Sequence, residues 1–275
     1  MNRTGPAASP GYVDRLIDRR RNGRDEQLAD RIAEEMPISM AYNGISFAVM
    51  MATPVDLDDF ALGFSLSEGL ITTPDQLLTI ERQELLEGIQ LTMTVAPEAP
   101  AAQLSGRPER LLPGRGSCGI CGTRELEDAV RQPARVRSYR TFRSTALERA
   151  LAQLSLHQPM NAATGAVHAA AWANADGQIT LAREDVGRHN ALDKLIGAMS
   201  RAGIEPDSGM LLLTSRASYE MVTKAASAGI GLMAAISAPT ALAIELARSA
   251  NVCLIGFARP GSHNIYAHPE RLQSD

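Results

Sequence analysis

The sequence predicts an α/β protein in two parts: a C-terminal domain built on a mostly parallel sheet, and a smaller N-terminal α+β domain. Three observations predict it. From Ile179 onward, short and continuously apolar strands alternate with amphipathic helices, the pattern of a parallel sheet covered on both faces. Upstream, two β-type runs flank Asn43-Gly44, a strong short hairpin signal. Between the two parts, residues 97–113 carry four prolines and read as a linker. The expected divisions are a flexible tail over 1–30, the small α+β domain over 31–112, a mobile loop over 113–123 and the α/β domain over 124–275.

The elements follow in order. Residues 1–30 are polar and arginine-rich (Arg15, Arg19, Arg20, Arg21, Arg24), the composition of a solvated tail. Strands are expected over 38–41 and 45–51. The run from Pro54 through Asp56, Asp58 and Asp59 reads as a helix with an acidic first turn, because carboxylates complement the helix dipole there. Residues 78–82 and 89–95 pair as a second hairpin. Helices are expected over 124–130 and from Ser144. Residues 166–173 and 178–182 pair across Asn174-Ala-Asp-Gly177, a turn composition. Strand–helix units then follow: strand 179–182 with helix 191–202, strand 210–213 with a helix to Ala228, strand 230–236 with a helix to Ser249, and strand 252–257.

Composition narrows the function. A formal net charge of −4 gives no bulk attraction to nucleic acid. No apolar stretch is long enough to span a membrane, and residues 1–24 lack the apolar run of a signal peptide. Three cysteines make an odd count without a disulfide framework, which fits a reducing cytoplasm. Only two lysines occur, Lys194 and Lys224.

The alternation gathers chemistry at one place. The loops Glu184-Asp-Val-Gly-Arg-His-Asn190, Thr214-Ser-Arg-Ala-Ser218, Ser237-Ala-Pro-Thr240 and Ala258-Arg-Pro-Gly-Ser262 all follow strands, so a parallel sheet collects them at its carboxyl edge, where open α/β sheets bind ligands. Three run into helix N-termini, with Asn190, Ser215 or Ser218, and Thr240 as caps, and such termini attract anions. Arg188, Arg216 and Arg259 add fork-shaped charges suited to phosphate. A phosphorylated, nucleotide-sized ligand is expected. His189 reads equally as a ligand contact or a structural hydrogen bond, and His168 equally as a rim histidine or a site residue. Glu220 and Lys224, four apart on a helix, read as a surface ion pair. Cys253 reads as a buried core residue and Trp172 as packing.

The remaining cysteines lie in Gly114-Arg-Gly-Ser-Cys-Gly-Ile-Cys-Gly122. Cys118 and Cys121, on a glycine-rich segment ahead of a predicted helix and flanked by Arg115 and Arg124, are placed to favour thiolate. On residues alone three readings stand: a zinc site, a redox pair, and a sulfur carrier with one exposed thiolate on a swinging loop.

Longer segments carry a resemblance. They are Thr53-Pro-Val-Asp-Leu-Asp-Asp-Phe-Ala-Leu-Gly-Phe64 with Ser67-Glu-Gly69, Ser117-Cys-Gly-Ile-Cys-Gly122, Thr164-Gly-Ala-Val-His168, Arg183-Glu-Asp-Val-Gly-Arg-His-Asn-Ala-Leu-Asp-Lys-Leu-Ile-Gly197, Ser215-Arg-Ala-Ser-Tyr-Glu-Met-Val-Thr-Lys224, Ser237-Ala-Pro-Thr240 and Gly256-Phe-Ala-Arg-Pro-Gly261. In these the sequence resembles the formate dehydrogenase accessory sulfurtransferase family (FdhD/NarQ). One small departure is Ala166, where the family usually has a second glycine. The resemblance implies sulfur transfer: a cysteine desulfurase loads sulfane sulfur on Cys118 with Cys121 assisting. The sulfur then passes to the molybdenum or tungsten bis(molybdopterin guanine dinucleotide) cofactor destined for formate dehydrogenase. It also implies a cofactor-binding segment over Phe257, Ala258, Arg259, Pro260, Gly261 and Ser262, a cytidine-deaminase-like three-layer C-terminal domain, and a cytoplasmic homodimer with no tightly bound catalytic metal. Arg188, His189, Asn190, Ser215, Arg216 and Ser218 complete the expected cofactor site. Hydrolytic deamination is argued against, since His168-Ala-Ala170 lacks the glutamate and Ser117 stands where proline precedes the first cysteine. A non-catalytic cofactor chaperone and a structural zinc module are the alternatives.

Overall fold

The computed structural model describes residues 10–106 and 133–274. The loop over 113–123, with Cys118 and Cys121, and the helix expected over 124–130 lie outside the described residues.

The expected tail is corrected first. Strands β1 (Tyr12–Arg21) and β2 (Arg24–Ala33) form a ten-by-ten antiparallel hairpin. Asn22 and Gly23 both take positive φ, as a two-residue hairpin turn requires. The register sets Asp14 opposite Arg31, Arg15 opposite Asp30, Arg19 opposite Glu26 and Arg20 opposite Asp25. Cross-strand pairs of opposite charge support a ladder. A charge-paired hairpin and a solvated tail therefore share one composition, and only the register separates them.

The small domain is a sheet in the order β4-β3-β6-β5, made of β3 (Met36–Tyr42), β4 (Ile45–Ala52), β5 (Leu77–Glu84) and β6 (Ile89–Val95). Both expected hairpins are present, and β3 and β6 run parallel. Helix α1 (Leu57–Ser67) lies on the sheet, burying Phe60 and Phe64 against Ile38, Met40, Leu91 and Met93. The expected linker begins as structure: 100–106 is a 3-10 segment whose Ala101 is buried with this core.

The large domain is a six-stranded sheet in the order β13-β12-β11-β10-β8-β9. Its strands are β8 (His168–Asn174), β9 (Ile179–Asp185), β10 (Gly209–Leu213), β11 (Leu232–Ala235), β12 (Cys253–Arg259) and β13 (Ser262–Ala267). Short β7 (Phe142–Arg143) and β14 (Leu272–Gln273) pair separately. The sheet is mixed, not mostly parallel. Only β10–β11 and β11–β12 are parallel pairs; β8 pairs antiparallel with both β9 and β10, and β13 with β12, the β8–β9 and β12–β13 pairs each being joined by a tight turn. Helices α4 (Arg188–Arg201), α5 (Tyr219–Ser227) and α6 (Ala241–Ser249) cover one face, and α2 (Ser144–Gln153) covers the other, giving three layers. Short α3 (Pro159–Thr164) leads into β8. Trp172 and Cys253 are core, as expected. Burial pushes the Cys253 thiol up to about 12, so it is inert as a nucleophile.

The two domains meet where α1 crosses α4. A Cβ on Gly63 would lie 1.7 Å from the Asp193 carbonyl oxygen, and one on Gly197 would lie 1.9 Å from that of Asp59. Glycine is required at both places for the helix backbones to touch.

Candidate functional site

Strand direction builds the site. Strand β8 is antiparallel to β10, and β9 is antiparallel to β8, so β9 points the same way as β10, β11 and β12. The carboxyl ends of these strands share one edge even though the sheet is mixed. Neighbouring strands are about 4.8 Å apart, so the edge from β9 to β12 is roughly 19 Å long. The start of β8 reaches the same edge, and His168 therefore sits there, opposite Asp185.

The loops at this edge differ. After β9, helix α4 begins earlier than expected, with Gly187 rather than Asn190 in the N-cap position. The fully buried Asp185 carboxylate accepts from Gly187 N at 2.8 Å, Thr53 N at 3.0 Å and Asn190 Nδ2 at 3.0 Å, and pairs with Lys194 at 2.6 Å. A protein carboxylate already fills that helix N-terminus. Asn190 also donates to the Met51 carbonyl, and Nε of Arg188 is buried without a partner. The buried His189 has its Nε2 3.3 Å from Glu220 Oε2, and Ser218 donates to the same oxygen at 2.8 Å. Ser218 holds the N-cap position of α5 but makes no cap bond. Burial alone raises the Glu220 carboxyl; its hydrogen bonds to His189 and Ser218 and the nearby Arg188 charge outweigh this and hold it down at about 2. His168 is held below the usual histidine range by burial first, then by Arg188 and His189.

The β10 and β11 loops are laced together by a parallel bridge between Ala217 and Pro239, and Thr240 caps α6 through Ala243 N. Ser215 is buried and donates to the Arg216 carbonyl. Arg216 is exposed, with no carboxylate within ion-pair distance among the described residues. After β12 there is a hairpin turn into β13, not an open loop. Phe257 takes φ 50 at a register shift and is 48% exposed, an unusual position for a large aromatic. Arg259, Pro260, Gly261 and Ser262 are exposed, and Ala258 is buried. Among the described residues the Arg259 guanidinium donates only to carbonyls, those of Ile236 and Ala258. The structure thus exposes Arg216, Phe257 and Arg259 and buries His189, Asn190, Ser215 and Ala258.

The expected Glu220–Lys224 surface pair is corrected. Lys224 is buried and donates to Asp193, Glu68 and Ser67, while Glu220 turns to His189. Burial opposes the Lys224 charge, but the Asp193 and Glu68 carboxylates outweigh it and raise its pKa. Asp185 also escaped the sequence reading. Its signal was present: an aspartate two residues before a glycine at a helix start is an Asx-turn pattern. A groove of about 630 Å³ beside β9, lined by Tyr12, Asp56, His157, Met160 and Arg183, has its arginine already paired with Asp59 at 2.7 Å. It is a poor seat for an anion.

Fold and site together define a mixed α/β protein whose large-sheet edge presents an exposed aromatic and arginines with no carboxylate partner among the described residues. The chain belongs to the FdhD/NarQ family, whose model matches residues 33–273. It is 51% identical over 271 residues to a "Sulfur carrier protein FdhD" of Cupriavidus necator, covering 98% of this chain and 93% of the relative. It is 53% identical over 263 residues to the protein of the same name from Xanthomonas campestris pv. campestris, covering 96% and 93%. A crystal structure from Desulfotalea psychrophila, provisionally assigned as a formate dehydrogenase accessory protein, shares the fold with a TM-score of 0.74 at 22% identity, over 96% of this chain and all of that one.

Proposed function

We propose that the protein is a cytoplasmic sulfurtransferase serving formate dehydrogenase, working as a homodimer with a C-terminal domain of the cytidine-deaminase type. The Cys118 thiolate attacks the outer sulfur of a cysteine desulfurase persulfide. A new S–S bond forms, the donor's S–S bond breaks, and the desulfurase thiolate leaves. Cys121 assists as a relay or resolving thiol. The sulfur is then passed to the molybdenum or tungsten bis(molybdopterin guanine dinucleotide), held as substrate at the sheet edge.

One observation carries this reading: the edge is about 19 Å long and presents Arg216 and Arg259, with no carboxylate partner among the described residues, together with the exposed Phe257. Guanidinium forks suit phosphates, and an aromatic face suits a purine base. The relatives' name, sulfur carrier protein, supports the sulfur-transfer part of the reading. The described helices include none long and apolar enough to cross a membrane. The test is to incubate the protein with a desulfurase and cysteine and weigh it intact. A one-sulfur adduct is expected on the wild type and not on Cys118→Ala; an adduct that survives this substitution removes Cys118 from the role.

A further inference from the structure

The turn that this reading assigns to phosphate already holds an anion. The backbone N–H of Gly261 donates to Oε2 of Glu148 at 2.5 Å, and Glu148 comes from α2, far away in sequence. Gly261 has φ +82 and nothing within 4 Å of where a Cβ would stand, so the turn is open to solvent on that side. A carboxylate and a phosphate oxygen are interchangeable acceptors for such a donor.

We propose that Glu148 is a built-in surrogate anion: it occupies the Gly261 amide in the free protein and is exchanged for a phosphate oxygen of the ligand. It thereby sets affinity for phosphorylated ligands without contributing a bond to them. The inference rests on the proposed function, which places phosphate at this turn.

Three features favour exchange over a permanent clasp. Among the described residues the other Glu148 oxygen meets only His263, whose buried Nδ1 is 3.3 Å away and makes no hydrogen bond. The Glu148 side chain is 31% exposed, so it can rotate into water without stranding a buried charge. The arginine of the same turn, Arg259, donates to the carbonyls of Ile236 and Ala258 and not to Glu148, so that guanidinium does not hold the carboxylate in place. One N–H cannot serve both anions, and their like charges repel. Glu148 must leave before phosphate binds.

Full-chain wild type, E148Q and E148A are titrated with guanosine diphosphate, inorganic pyrophosphate and guanosine at fixed ionic strength. E148A is expected to bind the diphosphate and pyrophosphate about tenfold tighter, the scale of one charge-assisted hydrogen bond. E148Q, which keeps the shape and loses the charge, falls between, and guanosine binding is unchanged. If wild type binds the diphosphate and both variants bind it equally or more weakly, Glu148 is a structural clasp: the exchange fails while the site reading stands. If none of the three proteins binds the diphosphate, the site reading fails and the exchange with it.

Discussion

The seam between the domains and the edge of the large sheet use the same charges for opposite ends. In the seam, Lys224 donates to both oxygens of Asp193, to Glu68 and to Ser67, and Lys194 donates to the Thr53 carbonyl and pairs with Asp185. At the edge, Arg216 and Arg259 are exposed and meet no carboxylate among the described residues. A buried charge is tolerable only when paired and hydrogen-bonded, so the seam is closed to ligands by its own satisfaction. An exposed guanidinium needs no partner, and remains available to an anion. The chain places both of its lysines in the seam. A compact ammonium with rotatable donors suits acceptors converging from several directions, whereas the planar arginine fork suits phosphate.

The strongest way to break this contrast is Lys224→Met. It leaves the buried Asp193 beside the partly exposed Glu68 without a cation, and removing one partner of a buried pair costs about 3–5 kcal/mol. Urea unfolding should show that loss. Arg216→Ala and Arg259→Ala should each stay within about 0.5 kcal/mol of wild type, as surface substitutions do. Arg259→Ala should instead weaken guanosine diphosphate binding about tenfold, the loss of one charge-assisted bond. If Lys224→Met is as stable as Arg259→Ala, the seam is not the structural region described here.

A second probe sharpens the seam without touching a charge. Gly197→Ala sets a Cβ 1.9 Å from the Asp59 carbonyl oxygen, so α1 and α4 must separate. Overpacking of this kind costs about 1–3 kcal/mol. Faster amide exchange in α1 and α4 is expected, with β10 and β11 unaffected. Exchange spread evenly over both domains would mean that the glycine contact does not localise the junction.

How much of this was legible follows from which forces are local. The strands β10 and β11 announced themselves because both of their faces are buried, every residue of each being apolar or glycine. Strand direction was not announced, since an apolar run reads the same forwards and backwards. The edge survived that error only because β9 is two antiparallel steps from β10. The hairpin over 12–33 was hidden by its own charge pairing. Lys224 was misplaced because helix spacing pointed to Glu220, while the packing of α1 against α4 and α5, a tertiary event, brought Glu68 and Asp193 to it. The Glu148–Gly261 contact joins distant elements and left no sequence signal at all.

Glu220 stands between the two regions, and its loss has a smaller effect on stability than either seam variant. It is half-buried at the edge, yet bonded like a seam residue to His189 and Ser218. Its carboxyl is held at about 2, against an ordinary value of 4.5. A depressed folded-state value means the stabilisation is fully present above pH 4.5 and is lost as pH falls from there toward 2. Because the group is partly open to solvent, the contribution is on the order of 1 kcal/mol and not the full value of the shift. Glu220→Gln should therefore be less stable than wild type by about that amount at pH 6–7, with the gap closing between about pH 4.5 and pH 2 as the wild-type carboxylate protonates. Guanosine diphosphate affinity at neutral pH should fall by less than it does in Arg259→Ala, since Glu220 supports the edge from beneath. A stability gap that stays constant through the acid range would show that Glu220 acts by shape, and would assign it to packing instead of to the charged network under the site.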